Sequence, residues 1–151
     1  MKNKNLHKID DGIIGWFYKW FRPVSRMSLF VVYFWFGFLK LVGLSPASPL
    51  AEALTVKTIG EQWFNELFAV LAVLECIIGI LFLIPRATRL AIAMMLLHML
   101  LVCSPLVLTP ELVWRYPFVP TLEGQYIIKN IALLAVAITL ASNIVPYSKK
   151  S

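Results

Sequence analysis

The stretch Phe68–Ile84, FAVLAVLECIIGILFLI, is apolar at every position but Glu75. An unpaired carboxylate near the centre of such a run is costly to bury in a protein and costlier still in a bilayer. Either the run is exposed to water, or Glu75 has a partner or a task. The composition of the chain bears on this directly. Of 151 residues, 60% are hydrophobic and 15% are charged, and the mean hydropathy is +0.78. A soluble domain is usually about half apolar and about a quarter charged. A single domain of this length has no interior large enough for the surplus, so lipid is the expected solvent.

A bilayer span needs roughly 17–25 mostly apolar residues. Four windows qualify, near residues 24–44, 66–84, 87–108 and 124–145. None alternates with a period of two, which excludes the pattern of a membrane β-barrel. The fold expected is therefore all-α: an integral membrane four-helix bundle over residues 23–148. Residues 1–22 precede it and a short tail, 149–151, follows.

The N-terminal segment is too short, and too charged at Lys19, for the apolar core of a cleaved signal peptide. Ile9, Ile13, Trp16, Phe17 and Trp20 fall near helical spacing, with Asp10, Lys19 and Arg22 elsewhere around the turn. That pattern predicts an amphipathic helix on the membrane surface, with Pro23 breaking it or opening the first span.

Positive charge orients the chain. Lys2, Lys4, Lys8, Lys19, Arg22, Arg26, Arg86, Arg89, Lys149 and Lys150 all fall on one side if the chain crosses four times. Only Lys57 and Arg115 fall in the opposite connections. Both termini are thus expected in the cytoplasm, with the chain crossing the membrane several times. The formal charge of +6 marks that face and its anionic lipid and calls for no nucleic acid. Of the two outer connections, the first contains Ser48 as an N-cap with Pro49 after it, predicting a short surface helix. The second, Thr109–Glu123, is rich in proline and aromatic residues and is expected to be an irregular interfacial cap.

Inside its ends, each window contains an ionisable residue: Lys40, Glu75, His98 and Lys129. At about 1.5 Å per residue, Glu75 lies about 15 Å from the start of its span, and His98 is similarly deep. Lys40 and Lys129 fall in the outer part of their spans. Facing lipid, each would cost about 2.5–3.5 kcal/mol; facing inward, they can pair. The expected network joins Glu75 to Lys129, Lys40 or both, with His98 beside it making a hydrogen bond between helices. The competing reading for the lysines is snorkelling to the headgroups. No metal-ligand spacing occurs, since His7 is the only other histidine. Cys76 and Cys103 lack a Cys-x-x-Cys arrangement and differ in depth, so they read as buried free thiols. Gly37, Gly43 and Gly79 read as points of close helix packing, and Ser104–Pro105 as the kink or end of the third span.

Three segments resemble the DoxX family of small bacterial membrane proteins. YFWFGFLKLVG (Tyr33–Gly43) resembles the first family helix with its Gly-x-x-Lys element. LECIIGILFLIPRATRLAI (Leu74–Ile92) resembles the second helix and its turn. TPELVWRYPFVPTLEGQYIIKNIALLA (Thr109–Ala135) is similar to the YkgB-type branch, which is linked to reactive chlorine resistance. Asn130 stands where many members of that branch carry Asp, which removes a possible acid beside Lys129. The resemblance implies a four-helix membrane bundle associated with redox or oxidative-stress functions. It brings Lys40, Glu75 and Lys129 as motif positions, without an established active site.

Three functions fit these residues, and whether the chain is an enzyme stays open. The first is a non-catalytic membrane component of a redox or stress assembly, held by the charged network and docking a protein partner. The second is a quinone-linked oxidoreductase subunit. Phe34, Trp35 and Phe38 would line its slot, Lys129 or His98 would donate to the quinone, and Glu75 would relay protons. No haem or iron–sulfur ligand set is present in the sequence, so electrons would come from a partner or a bound cofactor. The third is a small-molecule transporter or binding protein, which four helices would manage only as an oligomer. A homo-oligomer also suits the large lipid-exposed surface of so small a bundle.

Overall fold

The computed structural model describes residues 4–144, with side-chain surroundings from residue 7 onward. Lys2, Lys149, Lys150 and the stretch 145–151, including the expected end of the last span, lie outside the described residues. The chain is almost entirely helical. Four helices dominate: α1 (Lys4–Leu41), α3 (Phe64–Leu83), α4 (Thr88–Cys103) and α7 (Leu122–Ser142). Between them stand a short helix α2 (Ser48–Thr58), two single turns α5 (Pro105–Leu108) and α6 (Pro110–Val113), and a small antiparallel hairpin. The hairpin pairs β1 (Trp114–Tyr116) with β2 (Val119–Pro120). Among the described residues, four helical stretches are long and apolar enough to cross a membrane: His7–Leu41, Glu61–Leu83, Pro85–Leu108 and Leu122–Ser142.

The buried positions explain how these helices meet. On α1, Leu29, Tyr33 and Gly37 are buried; on α3, Ala72, Glu75, Gly79 and Phe82; on α4, Thr88, Ala91, Met95 and His98. Steps of three and four residues keep a narrow seam on one side of each helix, the spacing of coiled-coil-like packing. The helices form a ring in which α1 and α4 each touch both α3 and α7. Their shared core is Leu29, Tyr33, Ile78, Phe82, Ala91, Met95, Ala137 and Leu140.

Two glycines set the closest approach of α1 and α3. A Cβ on Gly37 would lie 2.7 Å from the Ala72 carbonyl oxygen, and one on Gly79 would lie 2.8 Å from the Phe34 nitrogen. Backbone therefore meets backbone along the α1–α3 seam, as small residues allow between apolar helices. Gly43 does something else. It sits at φ +72° with open space around it. Leu44 N–H donates to the Leu39 carbonyl at 2.9 Å and Gly43 N–H to that of Lys40 at 3.3 Å. This double bond pattern is a Schellman stop for α1, not a packing contact.

Other expectations need correction too. Pro23 neither breaks α1 nor opens it: the helix runs 38 residues through it. Proline removes one i→i−4 bond, and an apolar helix tolerates that loss. The N-terminal segment and the first span are thus one rod of about 57 Å at about 1.5 Å per residue. α2 is present, but Ala47 holds the cap position and Ser48 lies inside the helix, its hydroxyl donating to the Ser45 carbonyl at 2.9 Å. The second outer connection is ordered by the hairpin, whose turn places Phe118 at φ +64°. α4 ends at Cys103 and Pro105 opens the next turn, as the Ser104–Pro105 pair predicts.

Both ends of the helix ring are tied down. Arg26 donates to the Phe82 carbonyl at 3.0 Å and to Thr88 Oγ1 at 2.7 Å. A cation on the last carbonyls of α3 satisfies groups that the helix itself leaves open. At the opposite end, Thr121 caps α7 by accepting from Gly124 N–H at 3.2 Å and donating to the Leu112 carbonyl at 2.8 Å.

The seam predicts a contrast among glycines. Gly79→Ala should destabilise the protein by about 1–3 kcal/mol, because a methyl group there forces α1 off α3. Gly15→Ala, at a helical position with nothing within 4 Å, should stabilise it by up to about 1 kcal/mol through helix propensity. Thermal unfolding in one detergent, compared for both variants, checks the pair.

Candidate functional site

Lys40, Glu75 and His98 come from three different helices and meet at one carboxylate. Lys40 Nζ donates to Glu75 Oε2 at 2.5 Å, and His98 Nε2 lies 2.9 Å from Glu75 Oε1. The side chains are 8%, 6% and 5% exposed, in that order. Burial this deep makes pairing obligatory, since an isolated ion would cost several kcal/mol. With Glu75 ionised against Lys40, Nε2 of His98 carries the hydrogen that Glu75 accepts. With a neutral imidazole, the cluster has one positive and one negative charge, and no net charge.

Two polar atoms at this cluster have no hydrogen-bond partner among the described residues. Tyr33 Oη and His98 Nδ1 are both buried and unbonded. The Tyr33 ring packs edge-on to the His98 ring, centroids 5.4 Å apart. One atom is an unspent donor and the other, in this tautomer, an unspent acceptor. Tyr33 was not singled out from the sequence, yet a signal was available. Arg26, Tyr33 and Lys40 are spaced by seven residues, which places all three on one face of α1.

Lys129 is not in the cluster. It is exposed on α7, with Nζ 5.2 Å from the Tyr126 ring centroid, a cation–π contact. The register explains this. The buried face of α7 carries Gly124 and Ile127, and two residues further a helix has turned about 200° away. Asn130, three residues past Ile127, is half-buried. The expected aromatic slot is also displaced. Trp35 and Phe38 are exposed, and Phe34 is half-buried and stacked between Phe30 and Phe38 in a ladder along α1.

The cavity that does reach the cluster lies elsewhere. A cleft of about 300 Å³ opens beside Lys40, where the end of α1 faces the start of α3. Ser48, Phe64, Asn65, Phe68 and Ala69 share its wall with Lys40. None of these five figured in the sequence-based site, because the cleft exists only where two helix ends converge. No group of three or more His, Cys, Asp or Glu side chains that could hold a metal ion occurs among the described residues. Cys76 and Cys103 are free thiols, both half-buried.

Chemically, the cluster can fasten helices, hold a proton between a histidine and a carboxylate, or present ammonium hydrogens to the cleft. Comparison with family models, with curated proteins and with solved structures returns no match.

The unbonded Tyr33 hydroxyl gives a direct test. Tyr33→Phe removes a buried donor without changing shape, so it should leave stability unchanged or raise it by about 1 kcal/mol. A loss of about 1 kcal/mol or more in detergent unfolding would mean that the hydroxyl is bonded.

Proposed function

We propose that this chain is a DoxX-like, multi-pass inner-membrane protein that acts as a non-catalytic component of a redox or oxidative-stress assembly. The observation that carries the non-catalytic reading is the state of Glu75. Each of its oxygens is taken, one by a lysine of α1 and one by a histidine of α4. A carboxylate bonded on both oxygens to side chains of its own protein fastens three helices. The redox or stress assignment rests on the sequence resemblance.

Several features support the membrane placement. Large apolar side chains stand outward on all four long helices, among them Trp35, Val70, Leu100 and Ile131. So extensive an apolar surface suits lipid. Charge supports the orientation: Arg22, Arg26, Arg86 and Arg89 gather at one end, whereas Glu52, Glu61, Glu66, Glu111 and Glu123 belong to the other. Aromatic residues band both ends, with Trp16, Phe17, Tyr18 and Trp20 on α1 and Trp63, Tyr116 and Phe118 opposite, all exposed. From Trp20 to Leu41 is about 32 Å of helix, close to a hydrocarbon layer of about 30 Å. The first turns of α1 then lie at or beyond the cytoplasmic interface.

Substitution separates fastening from chemistry. Glu75→Gln leaves a buried lysine unpaired and should cost about 3–5 kcal/mol, whereas joint replacement with Lys40→Met, Glu75→Leu and His98→Leu should recover most of that loss. Survival of the host under hypochlorous acid, with the gene deleted and then restored in either form, reads out the role. Protection by the stable triple variant is the expected result. A stable triple variant that fails to protect would move the triad into the chemistry and favour the quinone-linked reading. Survival unaffected by deletion would remove the stress role itself.

A further inference from the structure

We infer that the cleft beside Lys40 is a binding site for a neutral, lipid-soluble molecule that presents a carbonyl oxygen. The inference rests on the membrane placement proposed above. It starts from an imbalance at the ammonium. Lys40 has three N–H donors, and among the described residues only Glu75 accepts from it. Its side chain is more than nine-tenths buried, yet it lines an open cleft. The unspent hydrogens therefore belong to a charged group that water reaches poorly, where a hydrogen bond to a charged donor counts for most.

The rest of the wall selects the ligand. Phe64 and Phe68 stack on one another, centroids 5.1 Å apart, and with Ala69 form an apolar side. Ser48 and Asn65 add a hydroxyl and an amide. A cation alone would suggest an anion, but Glu75 already neutralises Lys40. An anion entering the cleft would gain little net Coulomb energy and would lie near the Glu75 carboxylate. A neutral acceptor takes the free hydrogens without adding a charge to bury. The volume is at the lower end of ligand sites, about 300–1,000 Å³, so the cleft suits a headgroup or a single ring. Its position at the end of α1 puts it at the depth where molecules enter from the bilayer interface. Two sources share this chemistry: the acyl-ester carbonyl of a membrane lipid, and a free neutral carbonyl compound dissolved in the bilayer.

Benzophenone is a suitable probe, being neutral, aromatic and photoreactive at its carbonyl. The protein in lipid nanodiscs would be labelled with it and the adducts located by peptide mass spectrometry. The expected result is label on Phe64, Phe68 or Leu41, reduced at least about fivefold by Ala69→Trp. That change fills the cleft from an exposed position and leaves the triad untouched. 4-Benzoylbenzoate, the anionic analogue, should label the cleft several-fold less. Ether-linked lipids, which lack the ester carbonyl, separate the sources. Labelling that rises several-fold in them identifies the lipid ester as the occupant, and equal labelling identifies a free carbonyl compound. Adducts unchanged by Ala69→Trp, or stronger labelling by the anion, would overturn the site. Retention of the protein in carbonate-washed membranes tests the membrane placement separately.

Discussion

One carboxylate in an apolar helix organises this molecule. Glu75 cannot stay ionised inside the ring of helices unless cations or hydrogen donors reach it, and they come from α1 and α4. A buried ion pair of this kind is weak evidence for stability, because the desolvation of both ions offsets most of their attraction. Its effect is on specificity. Sliding α1 against α3 by one turn, about 5.4 Å, would carry Lys40 away from Glu75 and leave two unpaired charges. The pair therefore selects one register among many that the surrounding leucines, isoleucines and valines would accept.

That selection depends on backbone proximity. Lys40 reaches Glu75 because Gly37 and Gly79 let α1 and α3 pack with backbone atoms in contact. Three residues after Lys40, Gly43 ends α1 in a left-handed turn. The same turn starts the connection to α2 and α3, which leaves Lys40 beside an opening instead of sealed below further turns of helix. Packing glycines, stop glycine and charged pair thus form one local device. At the far end, Arg26 closes the other end of α3 with bonds to a carbonyl and a hydroxyl. The α1 face that carries Arg26, Tyr33 and Lys40 is polar at intervals of seven, and each of its groups meets a different depth of the seam.

The legible part of the site follows from helical arithmetic. An ionisable residue within every apolar window implies that some of them face inward, and Glu75 with Lys40 was among the pairings so expected. Lys129 fits the same depth but belongs to the wrong side of α7, because its position falls off the line through Gly124 and Ile127. Depth comes from counting residues, whereas azimuth depends on which face a helix turns to its neighbours. The aromatic slot went astray for the same reason. Phe34 and Phe38 stack along one face of α1 and Trp35 lies about a quarter-turn away, but Trp35 and Phe38 are both exposed.

From the chain alone come the helical class, the four apolar windows, the charge asymmetry and the need for Glu75 to have a partner. These follow from composition, window length and the cost of burying charge, which are properties of the residues themselves. Tertiary packing alone decided that His98 occupies the second oxygen, that Lys129 turns outward and that a cleft opens beside Lys40. Each of these depends on the rotation and closeness of neighbouring helices, which arise only when the seams interlock and have no counterpart in the order of residues along any one helix.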